Sequence, residues 1–139
     1  MTDTNRRSLV GILVAVALGA LVAAAGSDGS SRVGGLAVFA LSGILAYAIN
    51  WAVFVPSYLA RTEHYFDLTG SATYVSVTAV ALALSGDLDA RAIIVGAMVF
   101  VWALRLGSFL FRRIRRDGRD GRFDQIKTDF LRFLMTWTL

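Results

Sequence analysis

Cysteine is absent from the 139 residues, and proline and histidine each occur once. Without cysteine there is no disulfide scaffold and no thiolate zinc centre. The lone histidine, His64, has only carboxylates for company, so no metal site is expected. Charge is scarce too, at 17% against about 25% in soluble domains, while hydrophobic residues reach 56%. That balance excludes a disordered tail. It also argues against an ordinary soluble globule, because the apolar residues come in long blocks rather than amphipathic stripes. The composition is that of a small integral membrane protein.

The first block, Leu9 to Ala25, carries no charge in 17 positions. At about 1.5 Å per residue it reaches roughly 25 Å, enough for a thinned hydrocarbon core. Gly11, Ala15, Gly19 and Ala23 recur every fourth residue, a stripe of the kind that lets membrane helices approach closely. Arg6 and Arg7 before the block and Ala23-Ala24-Ala25 at its end resemble an export signal. Its apolar run is longer than the usual stretch of about 7–15 residues, so a retained helix is expected. A Gly/Ser-rich link, Gly26 to Arg32, leads to a second block from Val33 to about Ala60, which Pro56 should kink or end.

A polar stretch, Arg61 to Thr69, precedes a short third block over 70–85, which carries Ser71, Thr73, Ser76 and Thr78. Gly86-Asp87-Leu88-Asp89 reads as a turn, and Ala92 to Phe111 is a fourth block with one charge, Arg105. Residues 112–129 form a basic loop, and Phe130 to Leu139 starts a fifth apolar run too short to cross a membrane. The expected fold is an all-α integral membrane helical bundle. It has one transmembrane domain over 1–139, with spans at about 9–25, 33–60, 70–85 and 92–111 and an incomplete one at 130–139. The broken fifth element suggests the N-terminal part of a longer protein.

Lysine and arginine set the orientation. The N-terminal tail, Arg61 and the basic loop share one side and hold ten of them, against Arg32 and Arg91 on the other. A multi-pass cell-membrane protein with its N-terminus and the 112–129 loop in the cytoplasm is expected.

Several residues carry chemistry. Arg105 lies about 9 Å inside the basic end of its block, and its side chain leans back towards the membrane centre. Arg105 suits either a snorkelled interfacial arginine or an ion pair or ligand contact inside the bundle, with Asp67 and Glu63 as the candidate partners on that side. Tyr47, Asn50, Trp51 and Phe54, continued by Tyr58, recur at helical spacing. They suit either the lining of an apolar-substrate cavity or helix packing with one interhelical hydrogen bond. Arg61 to Ser71 concentrates the acid–base groups, including His64, while Asp67, Thr69 and Ser71 also suit N-capping of the third helix. The basic loop suits anionic membrane lipid headgroups or the phosphate of a cofactor. No recognition module accompanies it, so nucleic acid is not expected. There is no Walker loop, GxGxxG fingerprint or nucleophile elbow.

Three ordered blocks resemble a known family. They are Arg61-Thr62-Glu63 with Tyr65 to Ser71, then Trp102-Ala103-Leu104-Arg105-Leu106-Gly107, then Gly118-Arg119-Asp120 with Arg122-Phe123-Asp124. Together they resemble, from Asn50 to Leu139, a family of uncharacterised multi-spanning membrane proteins related to steroid 5-alpha-reductases. The resemblance implies a helical membrane enzyme that reduces a carbon–carbon double bond of a lipid-like substrate with NADPH, bound mostly by a C-terminal half absent here. For such a reaction the candidates in this chain are Tyr65 and Glu63 as proton or hydrogen-bond donors to the enolate oxygen, Asp67 and Arg105 as an orienting pair, and Arg119 and Arg122 of the basic loop as phosphate ligands. One departure stands out. Aligned on Pro56, the Gln-Glu pair of steroid reductases falls on Val53 and Phe54, so either Glu63, His64 or Tyr65 substitutes or the chemistry differs. Isoprenylcysteine methyltransferases share a similar architecture, which makes methyl transfer from S-adenosylmethionine the alternative. A non-enzymatic protein that forms a homo-oligomer or packs with a partner membrane protein through the Gly/Ala face is the third reading.

Overall fold

The structure, a computed structural model, describes residues 3–86, 88–118 and 121–139. The apolar blocks become helices, because a chain in oil must satisfy its backbone groups internally. These are α1 (Asp3–Gly26), α2 (Val38–Leu59), α3 (Phe66–Leu84), α4 (Ala90–Asp117) and α5 (Phe130–Thr138). The first four are long and apolar enough to cross a membrane. The protein is an all-α membrane helical bundle, as its sequence implies.

The boundaries differ from the sequence expectation at informative places. Between α1 and α2 the chain forms a tiny hairpin, β1 (Arg32–Val33) antiparallel to β2 (Leu36–Ala37). Gly34 and Gly35 make its turn with φ of +57° and +83°, the left-handed pair that two-residue hairpins need. The second span therefore starts at Val38 rather than Val33. Pro56 lies in the last turn of α2, which ends at Leu59.

Helix α3 begins at Phe66, so Asp67, Thr69 and Ser71 lie inside it and do not cap it. Thr69 Oγ1 donates to Tyr65 O, Ser71 Oγ to Asp67 O and Thr73 Oγ1 to Thr69 O, hydroxyls satisfied by their own helix. Asp67 still suits the first turn, where the helix dipole favours a negative charge. Side-chain N-caps are supplied by Asp89, whose Oδ1 accepts from Ala92 N at 2.7 Å, and by Asp129, whose Oδ1 accepts from Arg132 N at 3.1 Å. Helix α4 then runs for 28 residues to Gly118, which ends it at φ +76°. At about 1.5 Å per residue that is roughly 42 Å, so the last turns overhang a hydrocarbon core of about 30 Å. The first part of the expected basic loop, Arg112 to Asp117, is thus helical.

Helix α3 packs between α2 and α4, while α1 and α5 lie against each other and against α2. Small residues set the approach. A Cβ on Gly11 would meet Met135 Sδ at 2.6 Å, one on Gly19 would strike the Tyr47 ring, and one on Gly26 the Phe39 ring. The Gly/Ala stripe of α1 therefore packs against α2 and α5 of the same chain. On α4, Gly96, Ala103 and Gly107 are buried, and a Cβ on Gly107 would lie 2.7 Å from Ser71 Cβ. Burial is inverted relative to a soluble protein. Ser42, Ser57, Thr69, Ser71 and Thr73 are inside, while Leu13, Leu21, Met98, Val101 and Leu104 are more than half exposed on the rim. An apolar solvent produces that pattern, since small hydroxyl residues permit close packing and large apolar ones face lipid.

Candidate functional site at the basic end of the bundle

Three polar segments from separate parts of the chain meet at the end of the bundle that carries the α4 arginines. The α2–α3 connection turns sharply at Arg61, which adopts a left-handed φ of 48°. Thr62 N then donates to Ser57 O and Phe66 N to Glu63 O, which fixes Glu63 pointing inwards. Its carboxylate side chain is 1% exposed and accepts a hydrogen bond from Lys127 Nζ at 3.0 Å. Lys127 also pairs with Asp124 at 3.3 Å. The Glu63 hydrogen bond, helped by Asp124, raises the Lys127 pKa above its ordinary 10.5 against the opposing effect of burial. The ammonium therefore stays charged throughout the neutral range.

Two neighbouring links tie the same connection to α4. Asp67 and Arg113 form an ion pair at 3.6 Å. His64 Nε2 lies 3.0 Å from the Gly118 carbonyl oxygen, and its Nδ1 shares a hydrogen bond with the Thr62 hydroxyl. A neutral imidazole satisfies both by donating from Nε2 and accepting at Nδ1. Tyr65, at the N-cap of α3, is by contrast 51% exposed.

Beneath these polar links lies an aromatic floor. Phe54, Phe123, Phe133 and Trp137 are buried together, with Phe66 and Tyr58 packed on them. Phe66 meets Phe123 at 5.1 Å and Trp137 at 5.2 Å between ring centroids, the second pair edge to face. Such pairs add about 0.5–1.5 kcal/mol each beyond area burial. Trp137 Nε1 is buried without an acceptor among the described residues.

The four α2 residues considered for a substrate cavity do come together, yet each polar atom fastens a different helix. Tyr47 Oη donates to Ala15 O of α1 at 3.0 Å, and Asn50 Nδ2 to Thr73 Oγ1 of α3 at 3.2 Å. Trp51 Nε1 donates to Thr138 Oγ1 of α5 at 3.2 Å, and Phe54 joins the aromatic floor. Trp51 still leaves 40% of its surface open.

Arg105 does not meet Glu63 or Asp67. Ala103 and Gly107 face α3, and two residues along a helix is about 200° of rotation, so Arg105 between them faces away. Asp67 is met instead by Arg113, eight residues and about 12 Å further along α4. Arg119 lies outside the described residues, and Arg122 is placed by its backbone in the 3-10 turn Gly121–Phe123.

Sequence reasoning missed Lys127, Arg113 and Trp137. For Lys127 a signal existed. It is the only lysine in the chain, which otherwise uses arginine for every base. An ammonium is a compact point charge with three rotatable donors, and Lys127 uses it to meet both Glu63 and Asp124.

The site lies within the reach of a known family model. That model, described as a protein of unknown function (DUF1295), matches residues 53–139, which covers the polar links and the aromatic floor and leaves out α1 and the part of α2 with Tyr47, Asn50 and Trp51. No curated protein and no solved structure matches the chain.

Proposed function

The chain belongs to the DUF1295 family of proteins of unknown function, and we propose that it serves a membrane oxidoreductase activity that reduces a lipid-like carbon–carbon double bond with NADPH. One observation carries the reading. A buried carboxylate held by an ammonium lies at the same end of an apolar bundle as an overhanging arginine helix. A lipid arrives from the bilayer and an anionic dinucleotide from water, so a reaction between them belongs at such an end. The kinship of the three sequence blocks with steroid 5-alpha-reductases supports the same choice. The basic end is assigned to the cytoplasm of a cell-membrane protein on the lysine and arginine bias.

The residues present fit the phosphate end of the cofactor. Arg112, Arg115 and Arg116 are exposed on the overhang, and guanidinium forks match phosphate oxygens. Arg119 and Arg122 follow directly in sequence. NADPH supplies the hydride when bound. Tyr65, exposed at the head of α3, is assigned as the group that hydrogen-bonds or protonates the enolate oxygen as charge develops. Glu63 is assigned to position the connection that carries Tyr65, through Lys127, and Asp67 does the same through Arg113. The lipid-like substrate is assigned to the α2 surface around Trp51, above Tyr47, Asn50 and Phe54.

The test is NADPH oxidation by the full-length protein in extracted membranes, with a panel of lipid enones. Tyr65→Phe should lower kcat by about 100-fold or more, the usual range for a general acid. Absence of NADPH oxidation with every lipid, in a protein that binds S-adenosylmethionine instead, would replace reduction by methyl transfer.

A further inference from the structure

Arg105 presents a problem that the site above does not absorb. It is exposed on the outer face of α4, within the apolar part of the helix, and has no ion-pair or hydrogen-bond partner among the described residues. A charge facing hydrocarbon is expensive and in membrane proteins is met by another group. The surrounding stripe is apolar and open, with Met98 at 66%, Val101 at 68% and Phe109 at 63% exposed. These residues recur with Arg105 at spacings of three and four, the spacing of one helix face.

We propose that this face of α4 docks a further transmembrane helix that presents a carboxylate at the depth of Arg105. Charge decides the occupant. A second copy of this chain, related by a two-fold axis along the membrane normal, would bring Arg105 against Arg105, which is repulsive. An anionic lipid headgroup is the wrong depth. Arg105 lies seven residues, about 10 Å, before the first arginine of the overhang, and its side chain leans towards the start of α4, away from that end. A helix carrying aspartate or glutamate satisfies both the charge and the apolar stripe. Interhelical polar contacts of this kind are worth about 1–2 kcal/mol, or roughly 5- to 30-fold in association.

These 139 residues hold no cysteine, so Leu88→Cys, just before α4, is the single labelling position within them, and any cysteine elsewhere in the full-length protein is replaced by serine. The labelled full-length protein is reconstituted in phosphatidylcholine vesicles with an acceptor-labelled oligo-leucine transmembrane peptide. That probe carries one glutamate at the depth of Arg105, or leucine in its place. Energy transfer should show the glutamate probe associating about tenfold more tightly than the leucine probe. The preference should vanish in Arg105→Leu, persist in Arg105→Lys and reverse towards an arginine probe in Arg105→Glu. These variants sit on an exposed face, and the lysine variant shows that any loss follows charge rather than folding.

Three results would overturn the proposal. The first is equal association of the glutamate and leucine probes. The second is energy transfer between two labelled copies, without probe, that Arg105→Leu abolishes. The third is a glutamate preference unchanged in Arg105→Leu. If adding phosphatidylglycerol removes the preference, the occupant is a lipid phosphate instead.

Discussion

Glu63 and Lys127, the only glutamate and the only lysine of the chain, hold each other at 3.0 Å across 64 residues of sequence. The carboxylate is 1% exposed and the ammonium side chain 22%. This pair locks the α2–α3 connection to the segment that leads into α5. Being largely buried, the pair is screened far less by salt than a surface one.

Removing one partner should cost more than removing both. Lys127→Met takes the ammonium away from a buried carboxylate, a change worth about 3 kcal/mol for buried pairs. Adding Glu63→Gln should return part of that loss, so the double variant should melt above the sum of the single losses. Thermal unfolding in detergent of all four proteins checks this, and simple additivity would show that the two groups are not coupled.

The same pair gives a dependence on alkaline pH. The folded pKa of Lys127 lies above its unfolded value near 10.5. Its contribution to stability is therefore whole below pH 10.5 and is lost as pH rises through the raised folded value. Melting curves from pH 9 upwards should fall more steeply for the native protein than for Lys127→Met. Parallel curves would sink the assignment.

Two glycines of α4 should respond differently to alanine. At Gly107 a new Cβ lies 2.7 Å from Ser71 Cβ, which is tied directly to the α3 backbone. At Gly96 it lies 2.6 Å from Leu82 Cδ1, the far end of a flexible side chain. Gly107→Ala should therefore destabilise by about 1–3 kcal/mol, as overpacking does, and Gly96→Ala by clearly less. Denaturation in detergent ranks the two.

Gly19 separates internal packing from assembly. Its bulky replacement strikes Tyr47 of the same chain. Gly19→Leu should lower stability by about 1–3 kcal/mol through displaced α1–α2 packing, and it should leave the oligomeric state of the detergent-solubilised protein unchanged. Size-exclusion chromatography with light scattering reads the second quantity.

Asn50 and Thr73 provide a measure of interhelical hydrogen bonding. Thr73→Val removes the acceptor for Asn50 Nδ2, which keeps its bond to Ala46 O. The loss should be near 0.6 kcal/mol and no more than about 1.7 kcal/mol, the range for such bonds in membrane helices. A double cycle with Asn50→Leu in detergent would isolate it.

Much of the architecture was legible in the residues. Apolar block length announced four spans, and the small-residue stripe of α1 announced a close approach, although its occupants are α2 and α5. Asp67 was legible as a residue near the start of α3, but it lies inside the first turn rather than at the cap, and its partner is Arg113. The α2 stripe was legible as either cavity or packing, and the hydrogen bonds of Tyr47, Asn50 and Trp51 to three other helices assign its polar atoms to packing.

The sequence by itself determined which segments are helices in oil and which end is basic, because both are sums over consecutive residues and need no neighbour. Only the tertiary structure decided how each helix is rotated about its axis. That rotation is set by small residues packing against distant segments, as Gly107 does on Ser71 and Gly11 on Met135. It turns Arg105 outwards, brings Arg113 to Asp67 and lets Lys127 reach Glu63.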